Sequence, residues 1–201
     1  MKIKTIKKWA KEKIKGNIWD ILGAYLISNI LITIAFLLRP EKDYQILIMI
    51  ILISIINYIF QIGLTKYMIN FVQNKKKSLK ELFTNFKNYK KIIITYLYQI
   101  KNIFLWALLL IIPGIIKKYS YSLVPYILID NKNLKAKDIL KLSEDMMKGH
   151  KKDLFILNLS FIGWHILSIY TLFILELWII PYQKTANTKF LNDIKTNYNK
   201  K

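Results

Sequence analysis

A chain of 201 residues that is 54% hydrophobic and carries a formal net charge of +20 cannot form one ordinary water-soluble core unless its apolar and basic residues are segregated. They are segregated: apolar runs of about 15 to 26 residues alternate with lysine-crowded stretches, and about 20 apolar residues suffice to span a bilayer. The absence of cysteine excludes disulfide and thiol chemistry. Two histidines and 12 acids, with no HExxH, no glycine-rich phosphate loop and no nucleophile elbow, argue against a metal site, a bound cofactor or an enzyme.

Residues 3 to 14 place Ile3, Ile6, Ala10 and Ile14 on one helical face with Trp9 beside it, and lysines cover the rest. This predicts a helix lying on an anionic leaflet. It ends at Lys15-Gly16-Asn17, and a first membrane helix runs from about Ile18 to Leu38. That run is too long for a signal peptide and ends in Leu-Leu-Arg-Pro rather than a small-residue cleavage site, so it reads as retained. Arg39-Pro40-Glu41-Lys42-Asp43 forms a loop, and helix 2 follows from about Tyr44 to Phe71.

Lys75-Lys76-Lys77 opens a second unit. Ser78 with Glu81 three residues on has the capping-box spacing, and Leu79, Leu82, Phe83 and Phe86 recur as a second surface helix would require. Helix 3 is expected from about Lys91 to Ile112, with Pro113 and Gly114 as its break, and helix 4 from about Ile115 to Ile129, carrying Pro125.

After Asp130 comes a third surface helix with Ala136, Ile139, Leu140, Ser143, Met146 and Met147 on one side, ending at Gly149. Helix 5 runs from about Asp153 to Ile169, the chain turns near Tyr170-Thr171, and helix 6 has only about 11 apolar residues before the break at Pro181, so it either spans with a polar cytosolic end facing its neighbours or enters part-way. The reading adopted is that helix 6 spans the membrane. The chain is thus one integral membrane domain in three units, 1–73, 74–131 and 132–201, each a surface helix followed by a hairpin. Lys15-Gly16-Asn17 to Asp20-Ile21 and Lys148-Gly149-His150 to Asp153-Leu154 share a local pattern: a glycine ends one helix and an acid favours the N-terminus of the next. Internal duplication and a shared mechanical need both account for it.

Of the 32 basic residues, 26 fall in segments 1–15, 71–91, 130–152 and 184–201, and only Arg39, Lys42, Lys117 and Lys118 fall on the opposite side. The positive-inside rule then gives six crossings of a bacterial cytoplasmic membrane with both termini in the cytosol.

A resemblance extends this reading. Phe104-Leu105-Trp106 through Ile112-Pro113-Gly114-Ile115-Ile116-Lys117, Tyr119 to Ser122, Pro125-Tyr126, Leu142-Ser143, Met147 to Lys151, Asp153-Leu154-Phe155, Leu159 to Trp164, and Leu177-Trp178 to Pro181-Tyr182 resemble the domain-of-unknown-function 975 family. Lys15-Gly16-Asn17 and the Ser78 to Phe86 segment are similar as well. The resemblance implies an integral membrane protein of bacteria, mostly Gram-positive, and brings no catalytic or binding residue. His165 and Glu176 lie outside the family's pattern.

The intramembrane polar residues are the remaining candidates. His165 and Glu176 flank the last turn closely enough to pair across it, with Lys101 as a possible third member. They form either a packing pair or a proton or substrate site. Ser54, Asn57, Gln61 and Thr65 make a polar stripe on helix 2, and Asn158, His165 and Ser168 make one on helix 5; such stripes bond neighbouring helices or line a water-filled path. Asp20, Ala24 and Ser28 give helix 1 a small-residue face. Proline-broken helices mark substrate sites in transporters, but Pro113, Pro125 and Pro181 fall toward helix ends. The surface helices couple lysines to an apolar face, which suits anionic lipids rather than nucleic acid. The expected function is therefore non-enzymatic, exercised through lipid or membrane-protein contacts, in an envelope-protective or accessory role. A small permease using the two stripes is the alternative.

Overall fold

The computed structural model describes residues 3–37, 42–130 and 133–200, without the side chains of residues 31, 33 and 35–37. The expected loop at Arg39-Pro40-Glu41 lies outside the described residues. Every regular element among them is helical, and three stretches are long and apolar enough to cross a membrane: Asp43–Val72, Leu79–Leu109 and Lys151–Tyr170.

Helix α1 (Ile3–Lys13) lies across the second half of the last helix, with Ile6, Ala10 and Ile14 buried and the Lys189 ammonium over the Trp9 ring. Its lysine face stays outside the core, except that Lys7 donates to the carbonyl (3.2 Å) and hydroxyl (3.1 Å) oxygens of Ser160. Gly16 then turns the chain with φ +76°, a left-handed conformation that costs any other residue about 1 kcal/mol or more. Helices α2 (Ile18–Leu37) and α3 (Asp43–Val72) form an antiparallel hairpin in which the Asn57 amide donates to the Ser28 carbonyl at 3.0 Å. The two halves of α3 differ in surroundings. Ile59 to Val72 is mostly buried, whereas most of Tyr44 to Leu52 is exposed.

The expected second surface helix is a pair of 3₁₀ turns, Leu79–Leu82 and Thr84–Asn88. Ser78 accepts from the Lys80 N–H, but Glu81 accepts from the Asn70 amide at 2.5 Å instead of returning to Ser78, so the reciprocal capping box is not made. These turns press Leu82 onto Gly63 of α3. Helix α4 (Tyr89–Leu109) stands against α3, where the Tyr58 ring stacks on Tyr96 at 4.3 Å and its hydroxyl donates to Gln99.

The expected helix 4 does not form as one rod. The chain reverses at Leu110, which is extended (φ −160°, ψ 146°), and α5 (Ile111–Ser120) folds back on α4 with Gly114 against Ala107. Pro113 and Gly114 therefore sit in the opening turns of α5 instead of interrupting a helix, because proline's missing N–H has no intrahelical partner there. After a short turn, α6 (Val124–Asp130) begins with Pro125 as its second residue and buries Val124, Tyr126, Ile127 and Leu128. At ten and seven residues, each piece is shorter than a bilayer crossing.

Helix α7 (Ala136–Met146) buries Ile139, Leu140, Ser143 and Met146, with Met147 just beyond, and Gly149 makes a second elbow at φ +78°. Helices α8 (Lys151–Tyr170) and α9 (Glu176–Tyr198) close the chain as a hairpin. Pro181 does not end α9. The helix runs through it for another 17 residues, which bury Thr185, Ala186, Phe190, Leu191 and Ile194 against α1, α3 and α7.

Two zones result. At the lysine-rich end, α1, the second half of α3, α6, α7 and the second half of α9 share one packed core. Beyond it, the hairpins expose large apolar side chains, among them Ile50, Leu52, Leu108, Ile112, Ile166 and Leu172.

Candidate functional site

The polar residues of α8 and α9 face one another as a ladder. On α8, Asn158, His165 and Ser168 follow at spacings of seven and three; on α9, Glu176, Gln183 and Asn187 follow at seven and four. Antiparallel packing matches them rung by rung. His165 Nδ1 lies 2.8 Å from Glu176 Oε1 and its Nε2 lies 2.9 Å from Gln183 Oε1. The Ser168 hydroxyl is 2.7 Å from the same carboxylate oxygen. Asn158 Oδ1 accepts from Asn187 Nδ2 at 2.8 Å and from Gln183 Nε2 at 3.4 Å.

The ladder opens onto a cavity of about 300 Å³ where the two predicted stripes meet. Gln61 and Thr65 of α3 line it, opposite Asn158 of α8 and Lys184, Asn187 and Thr188 of α9, with Ser122, Pro125 and Tyr126 closing one side. The Lys184 ammonium stands over the Tyr25 ring, 5.4 Å from its centroid. Among the described residues, nothing is within hydrogen-bonding reach of the buried Asn187 Oδ1. The other two members of the α3 stripe lie further along. Ser54 and Asn57 line a groove of about 530 Å³ among α2, α3 and α4 that is otherwise mainly apolar, and Gln61 borders both spaces.

Lys101 does not join His165 and Glu176. It lies on α4 in a cleft against α7, lined by Tyr98, Asn102, Tyr121, Lys137, Lys141 and Glu144. The elbow acids also act locally: Asp20 pairs with Lys77 at 2.7 Å, and Asp153 sits in the first turn of α8.

Several residues of this polar network were missed in sequence. Gln183, Lys184, Asn187 and Thr188 fall beyond the helix break expected at Pro181. Asn29, whose side chain accepts from Gln61 at 3.1 Å and donates to the Tyr25 carbonyl at 2.7 Å, was hidden beside the small-residue face. Its position four residues after Tyr25, inside an apolar run, was the available signal.

Near the lysine-rich end, Glu144 of α7 accepts from Lys117 of α5 at 2.7 Å. Burial opposes its charge, but hydrogen bonds from Lys117 and Tyr121 and the charges of Lys117 and Lys151 hold the carboxyl below the usual carboxylate range. The Ser143 hydroxyl donates to the Ser120 carbonyl at 2.8 Å, and Lys195 pairs with Asp130 while donating to the Tyr126 carbonyl at 3.1 Å. Among the described residues, no three His, Asp or Glu side chains converge as a metal site.

A family model described as a protein of unknown function, DUF975, matches residues 98–198, half of the chain. That range holds α5 to α9 and most of α4, including the whole α8–α9 ladder; the Lys15-Gly16-Asn17 and Ser78 to Phe86 resemblances lie outside it. No curated protein and no solved structure matches the chain.

Proposed function

The chain belongs to the DUF975 family of proteins of unknown function, and on that premise we propose that it is a non-enzymatic protein of the bacterial cytoplasmic membrane, acting through lipid and membrane-protein contacts. The observation that carries this reading is the division of the molecule into two zones. One is a packed end bearing most of the lysines; the other is a set of helical hairpins whose large apolar side chains face outward. Outward apolar surface on this scale is stable in acyl chains and unstable in water.

Each hairpin leaves the lysine-rich end and returns to it, which supports both termini on the cytosolic side and an even number of crossings. In this reading the α8–α9 ladder is interhelical bonding that holds the hairpin closed, as polar side chains do between membrane helices. The envelope-protective or accessory role belongs to the same proposal.

One observation favours a second reading, a small permease. Gln61 and Thr65 of one polar stripe and Asn158 of the other border a single cavity that Lys184 also lines, an arrangement a substrate path through the bundle would need.

The test is extraction followed by reconstitution. The protein is expected to stay in the pellet when native membranes are washed with alkaline carbonate, and release into the supernatant overturns the membrane reading. In vesicles, Asn158→Leu is expected to lower thermal stability. A variant that melts normally but abolishes solute flux shown by the unmodified protein replaces the contact role with transport.

A further inference from the structure

The cleft holding Lys101 is separate from the ladder and has a different chemistry. Its volume is about 390 Å³, and its walls are Tyr98, Lys101 and Asn102 of α4, Tyr121 after α5, and Lys137, Leu140, Lys141 and Glu144 of α7. Three lysines thus face one carboxylate, and that carboxylate is already engaged at 2.7 Å by a fourth lysine, Lys117. The Lys137 ammonium stands over the Tyr98 ring, 5.7 Å from its centroid, while Asn102 donates to the Tyr121 hydroxyl at 3.1 Å. All three lining lysines are solvent-exposed, so an incoming anion meets their charges directly.

What lies next to the cleft decides the kind of anion. Helical spacing puts Tyr98, Lys101, Leu105 and Leu108 in one row along α4, and the row changes from basic to apolar within one turn. Leu105 is 48% exposed and Leu108 74% exposed, with Leu109, Leu110, Ile111 and Ile112 exposed beyond them at the hairpin tip. A cationic pocket continuous with bare apolar surface fits an amphiphile whose charged group and hydrocarbon are joined, better than a free anion.

We propose that the α4–α7 cleft binds the phosphate of an anionic phospholipid, with the acyl chains laid along Leu105 and Leu108 of α4. Lys101, Lys137 and Lys141 hold the phosphate oxygens, and the Tyr98 hydroxyl is placed to donate to the same group. This deepens the lipid-contact reading and rests on the membrane placement. Carbonate extraction tests that placement, so a protein that stays in the membrane yet lacks the lipid site counts against the cleft alone.

The test uses the full chain in a non-ionic detergent, titrated with phosphatidylglycerol, phosphatidylcholine or inorganic phosphate while its melting temperature is followed. Phosphatidylglycerol is expected to raise the melting temperature saturably, and the other two are not. The K101Q/K137Q/K141Q variant is expected to weaken the apparent affinity about 100-fold, at about fivefold per lysine, while K8Q/K11Q/K90Q, at three exposed lysines elsewhere, leaves it unchanged. If the triple variant misfolds without lipid, Lys141→Glu alone is expected to lower the affinity at unchanged helical content. Equal stabilisation by phosphatidylcholine or by inorganic phosphate overturns the proposal, as does an equal loss in the control variant.

Discussion

Both ring nitrogens of His165 face oxygen atoms, Glu176 Oε1 at 2.8 Å and Gln183 Oε1 at 2.9 Å. The amide oxygen of Gln183 only accepts, so the proton on that side belongs to Nε2. The Glu176 side then needs one proton shared between Nδ1 and the carboxyl, whose Oε1 also accepts from the Ser168 hydroxyl. His165→Leu and Glu176→Leu are each expected to destabilise the protein, and the double variant is expected to lose less than the sum of the two by about 1 kcal/mol. Detergent melts of the four proteins measure this coupling; strictly additive losses remove the pair from the packing account. The pairing was legible from sequence because both residues lie within about five positions of a recognisable turn, so hairpin geometry brings them together. Lys101 was grouped with them only because it lacked another visible partner, and charge alone carries no information on which helix face meets which.

At the scale of elements, two glycines with the same residue type play opposite parts. A methyl group at Gly63 would lie 2.5 Å from the Leu82 carbonyl oxygen and 2.6 Å from its Cα, so α3 approaches the 3₁₀ turns through backbone that cannot give way. At Gly23 in α2, nothing lies within 4 Å of the same position. Gly63→Ala is expected to cost about 1 to 3 kcal/mol through overpacking. Gly23→Ala is expected to gain about 0.5 to 1 kcal/mol from the removed backbone freedom. Thermal melts of both variants check the contrast, and a neutral Gly63→Ala discards the close approach. The elbows read differently again. Gly16 and Gly149 both take positive φ, so the shared Lys-Gly pattern was a correct guide to two like turns. The 3₁₀ turns were not legible as such, because Asn70 outcompetes the Ser78 backbone for Glu81, and that contact joins residues eleven positions apart.

At the scale of the whole molecule, the proposed orientation puts the lysine-rich end on the cytosolic side. The chain has no cysteine, so single cysteines report sidedness directly. Lys76→Cys and Asn199→Cys are expected to react with an impermeant maleimide only after the cell is opened, and Ile174→Cys at the α8–α9 tip is expected to be closed to it from the cytosolic side. Labelling of Asn199→Cys in intact cells reverses the orientation. The helical class, the three long apolar helical stretches and the two glycine elbows followed from the sequence by itself, because periodicity, run length and backbone preference are local properties of the chain. Tertiary structure decided the rest. It determined that the expected fourth helix is two short ones, since α5 folds onto α4 through Gly114 while α6 is held by α3 and α7. It also carried α9 through Pro181, where burial of Phe190, Leu191 and Ile194 offsets the missing hydrogen bond and brings Gln183 to the ladder and Lys184 and Asn187 to the cavity. A proline's local cost is written in the sequence, but the packing that overrides it depends on helices more than a hundred residues away.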